Sequence, residues 1–130
     1  MHTVLVEHYD RRMSDRAVAI LKTHDMVETI RWYAAAGFDV RDRLPDDNPT
    51  WCEVARNGVV LQFLSGDTPW LGAPTLTGCL YLYPPSVAAV AEELKGKVDL
   101  PFGVEERDWG RRELVLQDPN GYYLAFAEDL

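Results

Sequence analysis

The chain has little that would staple it from outside. Its 130 residues hold only two cysteines, Cys52 and Cys79, with no Cys-x-x-Cys unit between them. Such a pair reads as two reduced, mostly buried small hydrophobes rather than a disulfide. No apolar run approaches the roughly 18 residues of a membrane span, and the Val4-Leu5-Val6 cluster is too short for a secretory signal core. The expectation is a cytoplasmic chain with no membrane partner. Basic residues are in the minority, 13 Lys and Arg against 21 Asp and Glu, for a net charge of −8. That speaks against nucleic acid, whose phosphates call for a basic face. It suits solubility, and it suits a cationic ligand.

What is present reads as an ordinary globular domain, with 47% hydrophobic and 26% charged residues. A chain of this length buries about two thirds of its unfolded surface, so it needs no metal or disulfide to fold. Residues 17–22 form a short apolar run of strand length. Asp25 then stands as N-cap, with Glu28 placed to complete a capping box, before a helix over 26–36 whose apolar face is Met26, Ile30, Tyr33 and Ala34. Gly37 is suited to end that helix. A strand follows over 38–44, then a Pro/Asp/Asn loop, then two strands joined by Asn57-Gly58, a hairpin signal.

After a Gly/Pro-rich linker the same order returns. Residues 79–83 are a strand, Ser86 caps a helix with Val87, Val90, Ala91 and Leu94 on one face, and an irregular segment runs to Trp109. Strands over 112–117 and 122–128 flank Asp118-Pro119-Asn120-Gly121 and close a second hairpin. NGVVLQF at 57–63 and NGYYLAF at 120–126 agree at Asn, Gly, Leu and Phe. One βαβββ unit is written twice: module 1 over about 17–66, a linker over about 67–77, and module 2 over about 78–128, all within one domain. The fold class is α+β, two modules forming a curved mixed sheet around a cup-shaped groove, with helices on the convex face. Strand alternation assigns the repeated Leu61, Phe63, Leu124 and Phe126 to the core and Val60, Gln62, Tyr123 and Ala125 to the groove. Residues 1–12 lie outside the repeat. They read as a strand that joins the sheet, as an arm, or as sequence upstream of a start at Met13.

The doubled unit, the DMVETIRWYAAAGF helix at 25–38 and the closing WGRRELVLQDPNGYYLAFAE at 109–128 resemble the vicinal oxygen chelate superfamily of glyoxalases, extradiol dioxygenases and bleomycin resistance proteins. The enzymes of that superfamily hold a divalent metal on four side chains. The resemblance places those positions on Val18, Gln62, Cys79 and Ala125, of which two have no lone pair to offer. His24 sits in a turn, and His2 and His8 lie outside the modules. The expectation is therefore no metal, no cofactor and no catalytic residue. Within the superfamily the chain is most similar to the metal-free bleomycin resistance group, down to the Trp-Gly-Arg at 109–111. This implies a homodimer that sequesters a small, aromatic or cationic ligand such as an antibiotic. The residues expected to contact it are Gln62, Cys79, Tyr81, Tyr83 and Tyr123 in the groove, with Trp51, Glu53 and Trp70 near the rim. Aromatic faces there stack on planar rings and contact cations. The alternative is a metal-dependent lyase, isomerase or dioxygenase with a rearranged site drawing on Gln62, Cys79, Glu53 or Glu113.

Overall fold

A computed structural model describes residues 17–67 and 70–130. Module 1 runs β1 (Ala19–Lys22), α1 (Met26–Ala35), β2 (Asp39–Leu44), β3 (Trp51–Arg56) and β4 (Val59–Leu64). Module 2 repeats it as β5 (Cys79–Leu82), α2 (Val87–Leu94), β6 (Val104–Arg107), β7 (Arg111–Gln117) and β8 (Tyr123–Asp129). The α+β architecture of two βαβββ modules is what the repeat predicts. The strands divide between two open four-stranded sheets, ordered β1-β4-β3-β2 and β5-β8-β7-β6. In each, the first strand lies parallel to the last, because the helix carries the chain back over the sheet, and the other neighbours are antiparallel. Among the described residues no helix is long and apolar enough to cross a membrane.

Each helix covers one face of its own sheet, α1 against β2 and β3, α2 against β6, β7 and β8. The two covered faces share one core, in which Tyr33, Phe38 and Phe63 of module 1 join Val87, Leu94, Leu114 and Phe126 of module 2. Leu61, Phe63, Leu124 and Phe126 are all buried there, as alternation requires. Among the described residues the opposite face of each sheet carries no helix, and it is called the open face below.

Several local expectations are corrected. On α1 the buried face is Met26, Thr29 and Tyr33, while Ala34 is exposed, because the core turns toward module 2 and takes Thr29 into a polar seam. Asp25 caps α1 by accepting from the Glu28 N–H at 3.0 Å, but the capping box does not close. Glu28 pairs with Arg31 at 2.7 Å, and the Asp25 N–H donates to Thr23 Oγ1 instead. The segment before Trp109, read as irregular, contains β6. Its four residues are three exposed and one half-buried, and lack the apolar alternation that marks a strand. Its pairing with β7 creates it.

The two hairpins share letters but not geometry. In the first, Asn57 alone takes the left-handed region, at φ 52°. In the second, Gly121 takes it at φ 90° and donates back to Asp118 O at 3.0 Å, making a longer turn. That turn drives the Asp118 carboxylate inward. It accepts from Tyr33 OH at 2.7 Å and from the Asn120 and Tyr122 N–H groups at 2.8 and 2.9 Å. Asn120 reaches Thr23 and Thr29, and Tyr122 OH donates to Lys22 O at 2.7 Å. The turn of module 2 is thus bonded to the start of α1 and the end of β1. A second tie between modules is Arg56, whose guanidinium forks onto Glu93 at 2.7 and 2.8 Å and lies 5.2 Å from the Phe126 ring centroid.

Candidate ligand-binding faces

On the open face of module 2, register sets Tyr81 beside Ala125 and Glu113 beside Ala127. The small residues on β8 let the side chains of the flanking strands fold over them, so that Ala125 and Ala127 are 1% and 0% exposed. Above them Tyr81 OH donates to Glu113 Oε2, and Arg107 Nε donates to Glu113 Oε1 at 2.9 Å. Arg107 also reaches Glu105 at 3.3 Å and places its guanidinium carbon 5.9 Å from the Trp109 ring centroid. Tyr83 meets Tyr81 edge-on at 5.8 Å. Arg111, two residues from Glu113 on the same face, pairs with Asp129 at 2.7 Å. The result is an aromatic wall, with Tyr83 and Trp109 60% and 63% exposed, standing over a carboxylate that is 4% exposed.

Burial by itself would raise the Glu113 pKa. The Tyr81 hydroxyl and the Arg107 guanidinium more than offset it, and the group is held below the usual carboxylate range. The same bond raises Tyr81, since a phenol donating to a carboxylate resists losing its proton.

The open face of module 1 is built differently. Trp51 Nε1 donates to Gln62 Oε1 at 3.2 Å, and Gln62 Nε2 donates to Glu53 Oε1 at 2.9 Å. Three of the residues expected from sequence therefore form one hydrogen-bonded row. Ile20 is the Cα partner of Gln62 and shares its face. Asp42 stands directly opposite Glu53 across β2 and β3.

The remaining expected residues are spread out. Cys79 is exposed and is the Cα partner of Tyr123. Tyr123 lines a pocket of about 240 Å³ with Phe102 and Gln117. Trp70, 78% exposed, lines another of about 380 Å³ with Ile20, Lys22 and Tyr122. A cleft of about 410 Å³ lies between the modules, lined by Arg56, Asn57, Leu82, Tyr83, Pro85 and Phe126. Of these, the sequence points to Tyr83 alone as a ligand contact. Arg107 and Trp109 were not named for the site, although alternation on 111–117 puts Arg111 and Glu113 on the face of Tyr81. Trp109-Gly110 also sets the β6–β7 turn, with Gly110 at φ 80° donating to Arg107 O at 3.1 Å.

The four positions that hold a metal in the enzymes of the resembled superfamily do not fit one here. Val18 has no donor atom, and Ala125 is a methyl group beneath Tyr81. The Gln62 oxygen already accepts from Trp51, which leaves the exposed Cys79 thiol. Among the described residues no three His, Cys, Asp or Glu side chains gather as a ligand set. His24 is exposed, and His2 and His8 lie outside the described residues.

No protein-family model matches the chain, and no curated protein matches it by sequence. Solved structures do match it. The bleomycin resistance determinant encoded on the transposon Tn5 superposes with a TM-score of 0.69 at 21% identity, over 89% of this chain and 98% of that one. A bleomycin-binding protein complexed with bleomycin gives 0.69 at 21% identity, over 90% of this chain and 100% of that one. TioX from Micromonospora sp. ML1 gives 0.70 at 16% identity, over 90% of this chain and 100% of that one. With its doubled βαβββ order and its paired open sheets, the chain has the fold of the vicinal oxygen chelate superfamily, as found in bleomycin resistance proteins.

Proposed function

We propose that this protein is a metal-independent binder of a small, partly aromatic and cationic molecule, of the kind sequestered by bleomycin resistance proteins, and that it acts in the cytoplasm as a homodimer. The observation that carries this reading is the open face of module 2. There Tyr81, Tyr83 and Trp109 stand exposed over the buried, hydrogen-bonded Glu113. Exposed aromatic surface of this kind marks a ligand or partner site rather than a solvated wall. Planar rings stack on such side chains, and cations are attracted to their faces. A structure of the same fold was solved with bleomycin bound. The charge of −8 draws a positive ligand toward the protein.

Among the described residues, neither open face has a covering layer within one chain. A second copy laying its module 1 face across the module 2 face of the first would cover both and enclose the groove, bringing Trp51, Glu53 and Gln62 opposite Tyr81 and Tyr83. Sequestration needs only affinity. It lowers free ligand in proportion to the protein present above the Kd, with no bond made or broken.

Titration with bleomycin, followed by tryptophan fluorescence and by calorimetry, tests the reading, because Trp51 and Trp109 border the two faces. Saturable binding of about one ligand per chain is expected. Flat signals in both would remove bleomycin-type drugs. Elemental analysis after exposure to Zn²⁺, Ni²⁺, Mn²⁺ and Fe²⁺ and desalting is expected to find no retained metal. About one metal per chain would put the metal-dependent enzyme first.

A further inference from the structure

The charges around Glu113 do not balance. Glu105 and Glu113 are Cα partners directly opposed across β6 and β7. Two carboxylates in that relation repel unless a cation stands between them. One side chain answers both: Arg107, at 2.9 Å from Glu113 and 3.3 Å from Glu105. Among the described residues the trio keeps one uncompensated negative charge.

The two partners of Arg107 differ in exposure. Glu113 is 4% exposed and fixed by Tyr81, whereas the Glu105 side chain is 45% exposed and the Arg107 side chain 29% exposed. The buried end is a rigid acceptor, and the cation reaches it on a long flexible stem. Arg107 meanwhile shows what the acceptor takes: a planar guanidinium with an N–H on the carboxylate and its carbon over an indole ring, a setting that suits guanidinium recognition.

We propose that Glu113 is a receptor for a planar cation, with Arg107 as its resident occupant. A ligand carrying a guanidinium or amidinium group binds by taking the place of Arg107, which moves onto Glu105. The exchange leaves every charge paired: ligand with Glu113, Arg107 with Glu105. Arg107 is then a built-in competitor that screens out weak cations such as ammonium ions, which lack the planar fork. This rests on the small-molecule binder reading and specifies the charged group of its ligand.

The test removes the competitor. Arg107→Ala, the wild type, Arg107→Ala/Glu113→Gln and Arg112→Ala are titrated with benzamidinium by calorimetry and melted in its presence and absence. Arg112 lies on the opposite face of β7 and serves as control. Arg107→Ala is expected to bind one benzamidinium per chain at least about tenfold more tightly than the wild type. Its melting temperature is expected to rise on saturation, as it must for a ligand held by the folded state alone. The double variant is expected to lose both effects, and neutral benzamide to produce neither. Should Arg107→Ala be too unstable to titrate directly, recovery of its melting transition by benzamidinium but not benzamide carries the same information. Equal affinity in Arg107→Ala and wild type, or binding retained by the double variant, overturns the proposal. The two readings fail separately. Absence of bleomycin binding in the wild type alongside benzamidinium binding in Arg107→Ala would remove the drug and keep the receptor. Bleomycin binding undiminished in Glu113→Gln would do the reverse.

Discussion

Tyr33→Phe removes one hydroxyl from the centre of the molecule and should be felt out of proportion to its size. The ring packs edge-on against Trp32 and Phe38 at 4.9 and 5.1 Å and tilted against Phe63 at 4.8 Å, and Phe preserves all three contacts. No cavity follows. What goes is the 2.7 Å bond to Asp118, a carboxylate that is 4% exposed and keeps two backbone N–H donors. A hydrogen bond to a charged group contributes about 1.5–3 kcal/mol, so the expected loss is ~2 kcal/mol. For a chain of this size that lowers the melting temperature by roughly 6–10 °C.

The pH dependence has a definite sign. Burial raises the Asp118 pKa above its unfolded value, and the Tyr33 hydroxyl is the largest of the groups that pull it back down. The stability linked to Asp118 is therefore fully present below the unfolded value of ~3.9 and is lost as pH rises through the folded value. Deleting the hydroxyl moves the folded value higher still. The gap between Tyr33→Phe and the parent should be widest near neutral pH. It should narrow in acid toward the ~1 kcal/mol of a neutral bond. Urea denaturation at several pH values, read by tryptophan fluorescence, measures it. A cost under ~0.5 kcal/mol at neutral pH, or one that grows as pH falls, would refute the reasoning.

Two glycines test the backbone and the ties between modules. At Gly37, φ is 90°, and an added Cβ would collide with the Arg56 guanidinium and come 2.7 Å from Glu93 Oε2. Gly37→Ala should cost ~1–3 kcal/mol, the left-handed backbone giving ~1–2 and the displaced, partly exposed ion pair under ~1. Gly121 has the same φ, but a Cβ there meets nothing nearer than Gln117 Nε2 at 3.9 Å, so Gly121→Ala should cost the ~1–2 kcal/mol of the backbone alone. Parallel denaturation of the two variants gives the order, and a costlier Gly121→Ala would show that the Arg56–Glu93 tie carries no weight.

The repeat was legible because both of its periods survive in the letters. Leu61 and Phe63, like Leu124 and Phe126, keep strand alternation, and Val87, Val90 and Leu94 keep helical spacing. Where the letters failed, tertiary pairing had overridden local pattern. Val104-Glu105-Glu106-Arg107 has no apolar face because it is an edge strand, and only β7 makes it a strand at all. Thr29 replaces Ala34 on the buried side of α1 because Asn120 of the other module supplies it with a hydrogen bond, a partner far away in sequence. The same holds for the faces. Alternation puts Tyr81, Tyr83 and Tyr123 on one side, but it does not reveal that Tyr81 and Tyr83 touch each other while Tyr123 lines a separate pocket. Nor does it reveal that Glu113 is bonded through Arg107, since that depends on the register of β6 against β7.

The position of Ala125 bears on whether this face has room for a metal ligand. It is the Cα partner of Tyr81 on one side and Val115 on the other and is 1% exposed, so a carboxylate there would have to displace the side chains that cover it. A longer side chain at 125 must push Tyr81 aside, at the ~1–3 kcal/mol typical of overpacking. It would also take from Glu113 the hydroxyl that helps keep it ionised. Restoring one donor atom thus dismantles the aromatic wall and loosens the buried carboxylate beneath it. The buried carboxylate of this face sits on β7 rather than β8 and is matched by a guanidinium rather than a metal ion. Under the proposal that Glu113 receives a planar cation, a sheet arranged in this way accepts a cation that arrives with a planar group of its own.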